Sequence, residues 1–215
     1  MAISAKQVAE LRKKTGAGMM DCKKALVESD GDITKAEEYL QKKNLAAIGK
    51  RAGRVAAEGV VGSYIHNGRI GVLVEINSET DFVARNEDFV RLAKDVAMHI
   101  AASAPEYVEE SEIPGDLVAK KREIFLAQME DANKPANIME RIIDGKIKKW
   151  KSEICLLDQK FIRDTDKTVN QLVIDVASVV KENIRIRRFT RFELGEGIEK
   201  ATQDFAAEVA AATQV

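Results

Sequence analysis

The residue types that most often carry chemistry are few in this chain and lie far apart. His66 and His99 are the only histidines, and Cys22 and Cys155 form no CxxC pair. A zinc site needs three or four such ligands, and a nucleophilic cysteine needs a base beside it. The spacing therefore predicts no catalytic residue and no metal site, and we expect no cofactor.

Two glycines near a lysine are the feature that most suggests phosphate binding. Gly16 and Gly18 precede Lys23, but the pattern G-x-x-x-x-G-K-[ST] is absent. The glycines also follow a predicted helix, whereas a phosphate loop follows a strand. We interpret them as a helix stop, and we expect no direct nucleotide binding.

Composition places the chain among ordinary globular proteins. Its 215 residues hold 34 Lys and Arg, 35 Asp and Glu, and 45% hydrophobic residues. No run approaches 18 consecutive apolar residues, and no apolar run follows a basic N-terminus, so we expect neither a membrane span nor a signal peptide. With two distant cysteines, a reducing cytoplasmic location is the expectation.

The near-zero total charge hides an asymmetry along the chain. Residues 1–58 hold 12 basic and 8 acidic side chains, whereas residues 59–108 hold 4 and 7. A basic N-terminal segment is therefore followed by an acidic one.

The N-terminal segment predicts three short helices. Ser4 and Gln7 fit a capping box, a second helix runs from about Met19 to Ser29, and Asp32 can cap a third. Residues 42–58 are rich in alanine and basic residues and predict a solvated helix or a linker.

A β-hairpin and a helix follow. Asn67-Gly68 between two apolar runs is a strong hairpin signal. Residues 78–86 then predict a loop that exposes Phe82, and Asn86 can cap a helix with a continuous apolar face.

Residues 109–151 have apolar positions at helical spacing, interrupted at Pro135, which predicts an antiparallel helical hairpin of coiled-coil type. Further along, we predict short strands at 154–157 and 161–162, a helix at 169–180 and a strand at 183–194. A terminal helix carrying Phe205 completes an α+β chain.

Several exposed features favour an interaction protein, but each has a second interpretation. Met19 and Met20 suit an adaptable contact surface, although one of them could pack inside the bundle. His99, at the border of an apolar face, is either a packing residue or a partner contact. The basic run 42–54 could contact nucleic acid, but without interleaved aromatics a solvated helix face is favoured.

Four runs resemble the bacterial translation elongation factor Ts family. They are Thr15–Leu26, Asn77–Asn86 with Thr80-Asp81-Phe82-Val83 at its centre, Gly145–Lys149 and Phe192–Lys200. The matches occur in order over essentially the whole chain, and the first two runs together are highly specific.

The resemblance implies a guanine-nucleotide exchange factor for elongation factor Tu, which is not an enzyme of covalent chemistry. It implies a ubiquitin-associated-like three-helix bundle with its linker (1–55), an antiparallel-sheet core with helices (56–108 and 152–195), the inserted hairpin (109–151) and a C-terminal module (196–215). No nucleic acid or membrane partner is expected.

The resemblance also assigns contact residues. Met19, Met20, Lys23 and Arg51 match the docking surface for the GTPase domain of elongation factor Tu, and His99 matches a core-helix contact. A further set, Thr80, Asp81, Phe82 and Val83, matches a wedge that enters near the partner's nucleotide and Mg²⁺.

The chain departs from longer family members because only one half-core is recognisable. The surface that a second half-core provides in long forms must then come from a second subunit. We expect a homodimer, formed through the helical arm or the sheet edge.

Two other hypotheses remain: an RNA-binding or ubiquitin-binding module that uses Lys50, Arg51 and Arg54, and an enzyme with a deep pocket lined by carboxylates.

Overall fold

The three predicted N-terminal helices are confirmed in a computed structural model that describes residues 3–129 and 135–198. They are α1 (Ala5–Thr15), α2 (Met19–Glu28) and α3 (Ile33–Arg51). Their caps are those that the sequence indicates. Ser4 and Gln7 form the reciprocal capping box, and the side chain of Asp32 accepts the backbone N–H of Lys35 in the first turn of α3. Gly16 ends α1 at φ +65°, a conformation that favours glycine.

The basic segment after residue 42 proves to be part of α3. The helix continues without a break to Arg51, because Lys, Gln and Ala are good helix formers and only Gly49 interrupts them. Its first half packs in the bundle through Ala36 and Leu40, while Ile48 packs against the core that follows. One helix therefore joins the bundle to the rest of the protein.

A three-stranded antiparallel sheet forms the centre of the core. Its order is β1 (Glu58–His66), β2 (Ile70–Ser78) and β5 (Arg185–Glu193). The predicted Asn67-Gly68 turn is confirmed, with φ +50° and +66° as a type I′ hairpin requires. Gly62 of β1 permits close packing, because a Cβ atom there would lie 3.1 Å from Ala93.

Two helices cover one face of this sheet. The loop predicted over residues 78–86 contains a short helix, α4 (Asp81–Ala84), because Thr80 can cap it. Asn86 caps the long helix α5 (Glu87–Ser103) as predicted. The apolar face of α5 packs on β1 and β2, and α8 (Val169–Val180) packs on α5. In β2, Val72, Val74 and Ile76 face this core, and side chains between them, such as Leu73, face away from it.

The predicted helical hairpin is also confirmed. It consists of α6 (Gly115–Ala127) and α7 (Ala136–Ile154), and Arg122 of α6 reaches Asp144 of α7 at 2.7 Å, as antiparallel helices require. A small apolar cluster of Met129, Ile143 and Ile147 lies between the helices. The predicted turn at 133–135 falls largely outside the described residues.

The predicted strand at 154–157 is wrong. Helix α7 continues to Ile154, Cys155 makes an isolated bridge with Tyr107, and 156–158 form a 3-10 turn. A short apolar run fits a buried helix end as well as a strand, so periodicity alone could not separate them. The strand predicted at 161–162 is partly confirmed. β3 (Lys160–Phe161) pairs with β4 (Asp164–Thr168), a strand that the sequence did not indicate. The predicted terminal helix with Phe205 lies outside the described residues.

Candidate partner-binding site

The segment that joins β2 to α5 projects an aromatic side chain from the core. Thr80 is the N-cap of α4, and its hydroxyl accepts the backbone N–H of Val83 at 3.4 Å. On this helix Val83 and Ala84 face the core, whereas Asp81 and Phe82 face outward. Packing of Val83 and Ala84 against the core therefore leaves Asp81 and Phe82 on the outer side of the helix.

Phe82 is the most exposed aromatic ring among the described residues, with 81% of its surface accessible. Leaving a Phe side chain in water forfeits about 1.5–3 kcal/mol of burial free energy. Asp81 beside it pairs with Arg85 at 3.0 Å, an exposed ion pair of small energetic value. An apolar ring surrounded by charges, presented at the start of a helix, is suited to contact with another protein.

Two carboxylates hold this loop from the other side. Glu182, which follows α8, accepts hydrogen bonds from Glu79 and Thr80. Glu79 in turn accepts from the backbone N–H of Asn183 and from the guanidinium of Arg54. These two bonds lower the pKa of Glu79 and keep it ionised. Sequence inspection missed this arrangement because more than 100 residues separate Glu182 and Asn183 from the Glu79 and Thr80 that they contact.

The bundle presents a second apolar surface at the start of α2. Met19 and Met20 are 57% and 75% exposed, so neither packs in the bundle, and Lys23 lies exposed one turn further on. Two flexible thioethers beside a lysine form a surface that can adapt to a partner. Of the two interpretations of these methionines, the geometry supports a contact surface.

Arg51 lies at the junction between the bundle and the core. It lines a cavity of about 180 Å³ together with Gly16, Gly18, Lys43 and Lys181. Within this cavity Lys43 pairs with Asp21 at 2.7 Å, and their hydrogen bond lowers the pKa of Asp21 and raises that of Lys43. Part of the basic run 42–54 is therefore already engaged in ion pairs.

His99 does not lie at the surface. Its ring is fully buried, with Nε2 2.9 Å from the amide oxygen of Gln159 and Nδ1 accepting the N–H of Ile162. Burial lowers the pKa of His99, with the Gln159 bond opposing that effect, so the ring is neutral at pH 7. Both ring nitrogens are used inside the chain, so His99 is a packing residue in this structure. The partner contact that the resemblance implies stays a prediction.

Metal binding and the reactivity of Cys155 can be judged from the described residues. No group of three His, Cys, Asp or Glu side chains that could hold a metal ion occurs among them. Burial raises the pKa of the Cys155 thiol to about 11, so it is protonated and unreactive at neutral pH. A cavity of about 990 Å³ is an open groove between the bundle and helices α5 and α8, along which Lys167 pairs with Asp175.

Membrane crossing receives no support from the described part of the chain, since none of its helices combines the necessary length with a sufficiently apolar composition.

Comparison with known proteins gives one consistent result. The family model described as Elongation factor TS matches residues 5–196. The protein named Elongation factor Ts of Geobacter sulfurreducens is 58% identical over 213 residues, covering 99% of both chains. The proteins of that name from Desulforamulus reducens and Acetivibrio thermocellus are 58% and 57% identical, with at least 96% of each chain covered.

Proposed function

The chain belongs to the elongation factor Ts family, the nucleotide exchange factors of elongation factor Tu in translation elongation, and from this premise we propose that Asp81 and Phe82 form its exchange wedge. The observation that carries the proposal is the exposed ring of Phe82 on a capped helix that projects from a rigid core. Thr80 and Val83 hold the wedge, the first as its cap and the second by packing against the core.

The wedge acts by displacing parts of the partner. In GTPases a phosphate-binding loop and a Mg²⁺ ion hold the nucleotide, and Mg²⁺ requires nearly ideal octahedral geometry. The volume of Phe82, inserted between helices near that site, shifts the groups that position the ion, and Asp81 adds a negative charge there. GDP then dissociates faster.

Reciprocity of binding completes the cycle. If the factor weakens nucleotide binding, nucleotide must weaken binding of the factor by the same ratio. GTP in excess therefore enters the emptied site and releases the factor. No covalent bond is made or broken in this cycle, so the chain accelerates exchange without being an enzyme in the usual sense, and it acts where translation occurs, in the cytoplasm.

Docking is the task of the N-terminal bundle in this proposal. Met19 and Met20 supply apolar contact area to the GTPase domain of elongation factor Tu, and Lys23 and Arg51 supply flanking charge. The exposure of Met19, Met20 and Lys23 at the start of α2 supports this assignment, and Arg51 is half-buried at the end of α3. Docking energy from this surface is available whether or not the wedge is inserted.

A homodimer is the second part of the proposal. The face of the sheet opposite α5 carries exposed apolar side chains on all three strands: Val61, Ile65, Leu73 and Phe192. Gly71 lies between Ile65 and Phe192 in the paired register, which leaves a shallow groove between them. Such a face is unusual on a monomer and suits a second copy of the same face. Each copy of elongation factor Tu then touches both subunits.

The decisive experiment is the release of fluorescent GDP from elongation factor Tu, with wild type, Phe82→Ala and Ile138→Ala. Ile138 is an exposed apolar side chain on α7, away from the wedge, and serves as the matched control. We expect wild type and control to accelerate release, and Phe82→Ala to lose most of the effect while melting at an unchanged temperature. No acceleration by wild type would refute the exchange function, whereas an unchanged rate for folded Phe82→Ala would refute the wedge alone.

Sedimentation tests the dimer. Wild type should sediment as a dimer at micromolar concentration, and Leu73→Lys should sediment as a monomer because it places a charge in the centre of the apolar face. A wild-type monomer, both alone and with elongation factor Tu, contradicts the dimer.

A further inference from the structure

The wedge helix α4 is too short, and its outer side makes too few contacts, to fix its own orientation. It is four residues long, far below the 12–15 residues at which isolated helices become even marginally stable. The ring of Phe82 makes few contacts inside the chain because most of its surface is exposed. Val83 and Ala84 attach the inner side of the helix to the core, so the orientation of its outer side depends on what holds its first turn.

One carboxylate holds the two residues that lead into that first turn. The Oε2 atom of Glu182 accepts the backbone N–H groups of Glu79 and Thr80, both at 3.1 Å. Its Oε1 atom accepts the hydroxyl of Thr80 at 2.6 Å. Three donors therefore converge on one negative group, and hydrogen bonds to an ionised acceptor are about twice as strong as neutral ones.

The same carboxylate orients the helix cap. The hydroxyl of Thr80 has one proton, and that proton is directed at Glu182. Its lone pairs are then left to accept the backbone N–H of Val83, the bond that caps α4. Glu182 thus acts through Thr80 on the helix that carries Asp81 and Phe82.

Glu182 is in turn held in place by its neighbours. Helix α8 ends at Lys181 in a left-handed conformation, φ +61°, which turns the following residue out of the helix direction. Asn183 donates its backbone N–H to Glu79 at 2.7 Å and its side-chain amide to the carbonyl of Arg54 at 2.9 Å. Glu79 and Thr80, which lead into the wedge helix, are therefore tied both to the end of α8 and to the residues that follow α3 of the docking bundle.

We propose that Glu182 is a positioning residue for nucleotide exchange: its carboxylate fixes Thr80, the N-cap of α4, and so sets the direction in which Phe82 points. This inference rests on the proposed wedge function. Because Glu182 lies at the end of α8 and does not belong to the wedge, its loss should affect the exchange step more than the docking step.

Residue-specific hydrogen exchange of the unbound protein tests the anchor without the partner. In Glu182→Ala we expect the amides of Glu79 and Thr80 to exchange about tenfold faster or more, since both lose their acceptor. The matched control is Glu112→Gln, which alters another carboxylate that accepts a backbone N–H, that of Val108 at 2.8 Å. In the control, the amides of Glu79 and Thr80 should remain as in wild type.

Stimulated GDP release from elongation factor Tu tests the consequence, measured against the concentration of the factor. We expect Glu182→Ala to lower the maximal rate about tenfold and to change the half-saturating concentration less than threefold. Glu182→Gln keeps one acceptor oxygen and should lie between Ala and wild type, and Glu112→Gln should match wild type.

The outcomes separate the two proposals. Faster amide exchange together with an unchanged maximal rate overturns the positioning role while the wedge stands. Unchanged amides of Glu79 and Thr80 in Glu182→Ala overturn the anchor itself. A wild-type factor that does not stimulate GDP release overturns the positioning role and the proposed function together.

Discussion

The buried pair of His99 and Gln159 should make stability depend on pH in a direction that the structure fixes. His99 lies on α5, and its two ring nitrogens bond the loop that follows α7, at Gln159 and Ile162. The side-chain amide of Gln159 also donates a hydrogen bond to the carbonyl of Glu153 in α7, at 2.6 Å. We choose His99→Phe as the perturbation, because Phe fills a similar volume and removes both bonds.

At pH 8 the substitution should lower the free energy of unfolding by about 2–4 kcal/mol. It leaves the N–H of Ile162 and the amide oxygen of Gln159 without partners, and a buried unsatisfied group costs about 1–3 kcal/mol. The apolar ring recovers part of this through contact with Phe161, which already lies 6.0 Å from the histidine ring between centroids. The net loss is therefore smaller than the sum of two full penalties.

Below pH 6.5 the difference between wild type and variant should shrink. Burial lowers the pKa of His99 in the folded state, so the unfolded chain, with a histidine pKa near 6.5, takes up the proton first. The free energy of unfolding of the wild type then falls as pH decreases from about 6.5 to the lower pKa of folded His99, by at most about 1.4 kcal/mol per pH unit. His99→Phe lacks this term, whereas Asp158, whose pKa is raised mainly by burial, contributes equally to both proteins.

Urea denaturation at pH 8 and pH 5.5 measures both effects in the same samples. Gln159→Leu is the companion variant, and the double variant should lose less stability than the two single losses added together, since both remove one shared network. Equal decreases for wild type and His99→Phe between the two pH values would refute the buried neutral histidine. If His99→Phe lowers the free energy of unfolding by less than about 0.5 kcal/mol at pH 8, the cost assigned to the unpaired groups of Ile162 and Gln159 is refuted.

Three further predictions concern the sheet and the bundle. Gly62→Val should lower stability by about 1–3 kcal/mol, seen as a lower melting temperature, because added atoms meet Ala93; an unchanged temperature contradicts that close contact. Met20→Ala should raise the half-saturating concentration for GDP release with little change in the maximal rate, and the reverse pattern contradicts a docking role. Arg187 and Arg188 lower the pKa of Glu75 to about 2, so the stability that wild type gains over Glu75→Gln should be present above pH 4.5 and disappear as pH falls toward 2; a difference that persists at pH 2 contradicts the pairing.

Local signals in the sequence predicted much of the fold. The Ser4 and Gln7 capping box, the Asn67-Gly68 hairpin and the Asn86 cap depend on residues within a few positions of each other, and all three are present. The misassigned strand at 154–157 lacked such a signal, because its backbone bonds are set by Tyr107, nearly 50 residues earlier.

The candidate site divides in the same way. Resemblance to known sequences selected Asp81 and Phe82. Local spacing placed Phe82 ahead of the long helix α5 but predicted a loop there, whereas Phe82 lies in the short helix α4. The anchor at Glu182 and the burial of His99 could not be inferred, since they depend on contacts across 102 and 60 residues. Spacing left His99 open between packing and partner contact, and its packing became visible only from the position of the Gln159 loop.

The sequence by itself determined most of the helices and strands, and that a wedge-bearing run lies between a hairpin and a helix. These properties follow from backbone preferences and caps, which act over a few residues. The tertiary structure alone decided which carboxylate holds the wedge, which face of the sheet remains apolar and open, and which charged residues of α3 are already paired. Those outcomes depend on which distant side chains the packed core brings within hydrogen-bonding distance.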